Sequence, residues 1–194
     1  MYRDHGTGGV SWFQPAPTAA IALIRGLDIP ADAAVLDVGG GASTLLDALL
    51  ADGYRDLSVL DISTVALAAL RQRLGARDPV TLIHADLLSW TPERSFDLWH
   101  DRAVFHFLVE DRDRQRYVDL LHRALRTGGH VVVGTFAPDG PQYCSGLPVA
   151  RYTTEEMAEA LGGDFRVLDH VREKHTTPAG VVQPFNWLAA RLQK

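Results

Sequence analysis

The sequence predicts an α/β fold: a doubly wound, seven-stranded sheet, mostly parallel, that closes with a C-terminal antiparallel hairpin. Three observations carry this. Short β-type apolar runs alternate with helical periods five times, and such alternation is solved by parallel strands joined through crossover helices. A glycine turn, Gly39-Gly40-Gly41, separates the first of those strands from its helix. The last two strand-like runs, around Thr177-Pro178-Ala179-Gly180, return on each other, which an all-parallel nucleotide fold would not do.

Taken in order, residues 1–15 read as an arm. Its Trp12, Phe13 and Gln14 either tuck onto the core or fold over a ligand cleft as a lid. Pro15 and Pro17 precede a helix from Thr18 to Ile24, stopped by Gly26. Val35–Val38 is the first strand, and Leu45, Leu46, Leu49 and Leu50 form one apolar stripe on the first crossover helix. Leu57–Leu60 is the second strand and finishes in Asp61; Ser63 is the expected N-cap of a helix to Leu74, with Gly75 as stop. Val80–Ile83 and Phe96–His100 are strands three and four. A helix with apolar spacing at Tyr117, Leu120, Leu121, Ala124 and Leu125 runs from Asp111 to Arg126. Val131–Val133 is a buried fifth strand, and residues 134–152 a long loop. Thr153 and Glu156 make a capping box for a helix to Leu161. Strand six starts at Phe165 and continues toward His175, and Gln183–Leu192 is strand seven.

At 194 residues the chain reads as one domain, 1–194, with 46% hydrophobic and 22% charged residues, ordinary for a globular protein. Its net charge of −5 offers no basic footprint for nucleic acid. The single cysteine, Cys144, precludes an internal disulfide framework and suits a reducing compartment. With no apolar leader and no run long enough to span a bilayer, the expectation is a cytoplasmic protein without membrane association.

The glycine turn narrows the ligand. A dinucleotide fingerprint needs a sixth-position glycine, where this chain has Thr44, and the Gly-Lys-Ser/Thr end of a P-loop is missing. What remains is Asp37-x-Gly39-x-Gly41, with Ser43 where a third glycine often stands. An acid at the tip of the next strand, Asp61, has the address and chemistry to grip a ribose through both hydroxyls.

This pattern, with the terminal hairpin, resembles class I, seven-β-strand methyltransferases of the small bacterial single-domain type, which use S-adenosylmethionine (SAM) and release S-adenosylhomocysteine. The resemblance covers nearly the whole chain and implies a Rossmann-like sheet. It also implies a cofactor site of Trp12, Gln14, Asp37, Gly39, Gly40, Gly41, Ser43, Asp61, Ile62, Asp86, Leu87 and Asp101, with Asp86 on the adenine amine and no metal.

The chemistry is expected where strand four ends, at His100, Asp101 and His106. His106 is either a general base or a histidine packed between Phe105 and Phe107; Asp101 either pairs with Arg102 or faces the cofactor's amino group. His175 is expected at the surface. The favoured partner is a small-molecule acceptor with a thiol, hydroxyl or amine. The Trp12-Phe13-Gln14 and Asp101-Arg102-Ala103 segments also look like a branch that includes protein-lysine methyltransferases, so a basic protein substrate stays open. So do a non-catalytic SAM-binding module and, against the Thr44 evidence, an NAD-dependent reductase.

Overall fold

The computed structural model describes residue 14 and residues 16–41, 43–75 and 80–193. Apart from Gln14, the expected arm and its Trp12 lie outside the described residues.

In chain order the elements are α1 (Thr18–Gly26), β1 (Ala34–Val38), α2 (Leu45–Ala51), β2 (Asp56–Asp61), α3 (Thr64–Leu74), β3 (Val80–His84) and β4 (Phe96–Arg102). Then follow α4 (Asp111–Ala124), β5 (Leu125–Phe136), the short β6 (Tyr143–Cys144) and β7 (Leu147–Pro148), α5 (Thr154–Leu161), β8 (Phe165–Thr176) and β9 (Val182–Leu192). The main sheet has seven strands in the order β3-β2-β1-β4-β5-β9-β8. The first five run parallel, and β9 inserts antiparallel between β5 and β8. β6 and β7 pair separately.

Both faces of the sheet are covered, so its central strands can be buried at every position, as all five β1 residues are, Asp37 included. On one face Ile24, Leu46, Leu49 and Leu70 of α1, α2 and α3 pack with Val35, Val59, Leu98 and Val132. On the other, Tyr117, Leu121, Met157 and Leu161 of α4 and α5 pack with Leu36, Trp99, Val131 and Val133.

Two local predictions appear in detail. Ser63 Oγ accepts from Ala66 N at 3.2 Å, satisfying a first-turn N–H of α3. Thr153 Oγ1 accepts from Glu156 N at 3.1 Å while Glu156 Oε2 accepts from Thr153 N at 2.7 Å.

Three expectations are corrected. The fourth helix ends at Ala124, not Arg126, and β5 begins at once, because Leu125 is extended and pairs with Phe96. A register shift opposite Phe96 and Leu98, with Gly128 at φ 81°, absorbs the extra residues. The long loop is also shorter than the sequence suggests: β5 runs on to Phe136, and the β6–β7 hairpin occupies part of the remainder. Finally, His175 is not a surface residue. Inward residues of β8 alternate as Val171, Glu173 and His175, and the His175 ring lies edge-on to Phe185 at 6.2 Å.

Candidate functional site

A cavity of about 370 Å³ opens at the carboxyl ends of β1 to β4. This is where ligands lie in open parallel sheets, and the volume suits a small molecule. Asp61, Ile62, Asp86, Leu87 and Leu88 line the β2–β3 side; Gln14, Asp37, His100, Arg102, Cys144 and Ser145 line the β1–β4 side.

The glycine turn is built for close approach. Gly39, at φ 67°, donates its N–H to Leu60 O at 2.7 Å, and a Cβ there would lie 2.3 Å from Val104 Cγ2. A Cβ on Gly40 would fall 2.1 Å from Asp37 Oδ2. Gly39, Gly40 and Ser43 line the cavity, whereas Gly41 does not. Gly41 donates to Asp61 Oδ2 at 3.0 Å, and its Cβ would meet Ala66 Cβ at 2.5 Å. Its lack of a side chain is thus demanded by α3 and Asp61 rather than by ligand space.

Asp61 is held from two sides, by Gly41 N and by Ser63 N at 2.8 Å on Oδ1. A carboxylate has about four lone-pair positions, so it can accept further donors from the cavity. Burial lifts its carboxyl above the ordinary range, with the two backbone N–H groups opposing. Asp86 Oδ1 accepts from Leu88 N at 3.0 Å, fixing the start of the turn that carries Leu87. Ile62, 68% exposed, forms an open rim beside them.

β4 separates the catalytic candidates by strand parity. His100 and Arg102 face the cavity; Asp101, between them, points into the opposite layer. Asp101 neither pairs with Arg102 nor faces a ligand, which corrects both readings of it. Its carboxylate accepts from Val104 N at 2.9 Å, from Phe105 N at 3.0 Å and from Tyr117 Oη at 2.8 Å. Tyr117 in turn accepts from Trp99 Nε1 at 3.0 Å. Burial raises the Asp101 pKa to about 6 against those bonds.

On the cavity side, Asp37 and His100 are register partners on β1 and β4. His100 Nδ1 lies 2.7 Å from Asp37 Oδ1, both side chains are almost fully buried, and the ring stacks on Trp187 at 5.7 Å. A carboxylate only accepts, so Nδ1 carries the hydrogen and Nε2 of the neutral ring presents its lone pair. Neither His100 Nε2 nor Asp37 Oδ2 has a hydrogen-bond partner. Two orphaned buried acceptors in a cavity wall are expensive unless a ligand meets them.

His106 is outside the cavity lining. It sits in a 3₁₀ turn, Phe105–Phe107, packed edge-on to Phe107 at 4.6 Å and against Phe136 at 4.9 Å. Neither ring nitrogen is hydrogen-bonded, and burial, with the nearby Arg102 charge, holds its pKa down to about 3. A ring so weakly basic and so enclosed is a poor general base. The packed alternative describes it, with Phe136 rather than Phe105 as the second wall.

Two features carry no role in the sequence reading, although Arg102 stands among the groups expected after strand four. Arg102 lines the cavity two residues beyond His100, and strand alternation on β4 is the signal that finds it. Glu173 had no such signal: from β8 it accepts Gln14 Nε2 at 2.6 Å and Trp187 Nε1 at 2.8 Å, while Gln14 O accepts from Thr44 Oγ1 at 3.0 Å. Gln14 thereby ties the chain before α1 to both β8 and the glycine turn. Among the described residues no group of three or more His, Cys, Asp or Glu side chains could hold a metal, and no helix is long and apolar enough to cross a membrane.

Residues 35–129 match the family described as a methyltransferase domain. The tRNA U34 carboxymethyltransferase of Shewanella sediminis is 30% identical over 128 residues, 61% of this chain but only 36% of that protein. This chain therefore spans about a third of that relative's length. The human EEF1A lysine methyltransferase 2 is 23% identical over 180 residues, covering 88% of this chain and 70% of its own. In fold, the chain is similar to a Burkholderia thailandensis 1,6-didemethyltoxoflavin-N1-methyltransferase crystallised with S-adenosylhomocysteine. The TM-score is 0.73 at 24% identity, over 100% of this chain and 81% of that one.

Proposed function

We propose that this chain, which belongs to the class I SAM-dependent methyltransferase family, is an enzyme that transfers the SAM methyl group to a small-molecule acceptor bearing a thiol, hydroxyl or amine. The observation that carries the reading is the row of cavity carboxylates. Asp61 at the tip of β2 is oriented by two backbone N–H groups, Asp86 follows β3, and Asp37, with its orphaned Oδ2, lies one residue before the end of β1. These three fit SAM in order: Asp61 takes the ribose hydroxyls, Asp86 and Leu87 the adenine edge, and Asp37 a cationic donor at the amino-acid end.

When bound, SAM supplies a methyl already activated on a sulfonium, so the chain's task is to position the acceptor and remove its proton. His100 Nε2 is the group for the second task. It takes the acceptor's proton while Asp37, on Nδ1, orients the ring and stabilises the imidazolium. Phe107, Val104 and Leu108 provide an apolar wall that excludes water. Gln14, latched to Glu173, closes the cavity from the chain's N-terminal side.

A lysine acceptor is the second reading, favoured by the match to the human lysine methyltransferase over most of this chain. A tRNA acceptor is opposed by the net charge of −5.

The test is titration calorimetry with S-adenosylhomocysteine and NADH, followed by a screen of thiols, phenols, amines and a basic peptide with radiolabelled SAM. Binding of S-adenosylhomocysteine but not NADH is expected. Asp61→Ala should weaken it by roughly 10- to 150-fold, the range of a charged-group hydrogen bond. NADH binding alone would remove the cofactor reading. Tight cofactor binding with no transfer to any acceptor would favour a non-catalytic module.

A further inference from the structure

His100 needs more than Asp37 to aim its free nitrogen. The bond from Nδ1 to Asp37 fixes one point of the ring and leaves the ring free to tilt about that bond. Its plane is set from beyond β5. Trp187, on β9, is the register partner of Gly134 on β5, and a Cβ at Gly134 would fall 2.7 Å from the indole Cδ2 and Cε3. The missing side chain lets the indole lie across β5 and stack on the His100 ring of β4, the two planes 28° apart. The indole is fully buried, and its N–H donates to Glu173 Oε2 at 2.8 Å. The other oxygen of that carboxylate, Oε1, accepts from Gln14 Nε2 at 2.6 Å. Gln14 lines the cavity and Glu173 does not. A side chain behind the wall thus joins a residue of the wall to the ring that flanks His100.

We infer that Glu173 is a positioning residue, which ties the seating of Gln14 against the cavity to the orientation of the His100 ring, through Trp187. The inference deepens the proposed function and rests on His100 as the base. The division of one carboxylate between two donors makes the link. When Gln14 withdraws, Oε1 loses its donor and the Glu173 side chain recovers rotamers that the two bonds together exclude. The indole N–H is then held by an acceptor no longer fixed in one place, and the ring on which His100 stacks is less firmly set. Proton removal depends on the aim of the base, since a displacement of about 1 Å costs on the order of 10²-fold in rate. The Glu173 charge also favours the nearby Arg102 guanidinium, so charge and hydrogen bonding have to be separated.

The experiment reads the His100 ring protons by NMR in the full chain, at about pH 9, where an ordinary imidazole is neutral. Their signals are assigned by their loss in His100→Ala, and the indole displaces them from the positions they take in the urea-unfolded chain. Glu173→Ala should move them toward those unfolded positions. Glu173→Gln should leave them near wild type, because its amide oxygen still accepts from the indole while a turned Gln14 amide meets its NH₂. Gln14→Ala should give a smaller shift in the same direction, and no further shift in the Glu173→Ala background. A Glu173 that only supports the fold would let the two substitutions add, and additive shifts therefore overturn the inference. So do His100 signals that stay in place in Glu173→Ala while the Trp187 indole N–H moves. Glu173→Gln matching Glu173→Ala overturns it as well, by assigning the effect to charge. If Glu173→Ala does not fold, Gln14→Ala decides, and His100 signals unmoved from wild type in that variant overturn the link. Failure of the base reading is separate: undiminished turnover in His100→Ala, with the acceptor found by the radiolabel screen, removes the base and leaves these shifts as they are.

Discussion

The two faces of β4 differ in what they do with polar groups. On the α4 side, Asp101 is fully satisfied: two backbone N–H groups and the Tyr117 hydroxyl converge on it, and Trp99 completes the chain of bonds. On the cavity side, one residue earlier and one later, His100 leaves a ring nitrogen without a partner and Arg102 lines the cavity wall. The same strand thus carries a closed network and an open one. Closed networks hold a fold in one arrangement; open ones sit where a ligand completes them.

The largest effect tests the open side. His100→Ala should lower turnover by roughly 10²–10⁴-fold with S-adenosylhomocysteine affinity within a few-fold of wild type. Equal losses of cofactor affinity and turnover would place His100 in ligand binding instead of proton removal.

On the closed side, Asp101→Ala strands Val104 N, Phe105 N and the Tyr117 hydroxyl in the interior. Denaturant unfolding should show a loss of about 3 kcal/mol. A stable Asp101→Ala protein with impaired catalysis would reverse the assignment of the two faces.

The smallest effect concerns pH. His106 has its folded pKa held to about 3, below the ordinary 6.5, so only the unfolded chain gains this proton on acidification, and stability is lost as pH falls below 6.5. Asp101 behaves oppositely: its folded pKa of about 6 exceeds 3.8, so the folded state takes the proton first, and stability rises as pH falls from 6 toward 3.8. The two offset each other over that window. His106→Leu removes the first contribution, so the variant should gain roughly 2 kcal/mol relative to wild type between pH 6 and 4.5. Parallel pH profiles of wild type and variant would show that the His106 ring takes up protons in the folded state.

Much of this protein is written in short-range patterns. The alternation of strand and helix, the glycine turn, Asp61 at its strand tip, the Ser63 cap and the Thr153–Glu156 capping box each depend on residues a few positions apart. Local sterics and hydrogen bonding decide such features before any packing occurs. The division of labour among His100, Asp101, Arg102 and His106 was not legible in the same way. Alternation says that His100 and Arg102 share a face, but which face meets the cavity depends on how β1, β4 and the helices layer. His106 lies beyond the strand in a 3₁₀ turn where no period applies, and only the approach of Phe136 from β5 encloses it. Glu173, more than 150 residues after Gln14 along the chain, reaches it only in the folded sheet, where β8 pairs with β9. Those contacts belong to the tertiary structure, since a side chain's solvation and charge are set by whatever the fold packs against it.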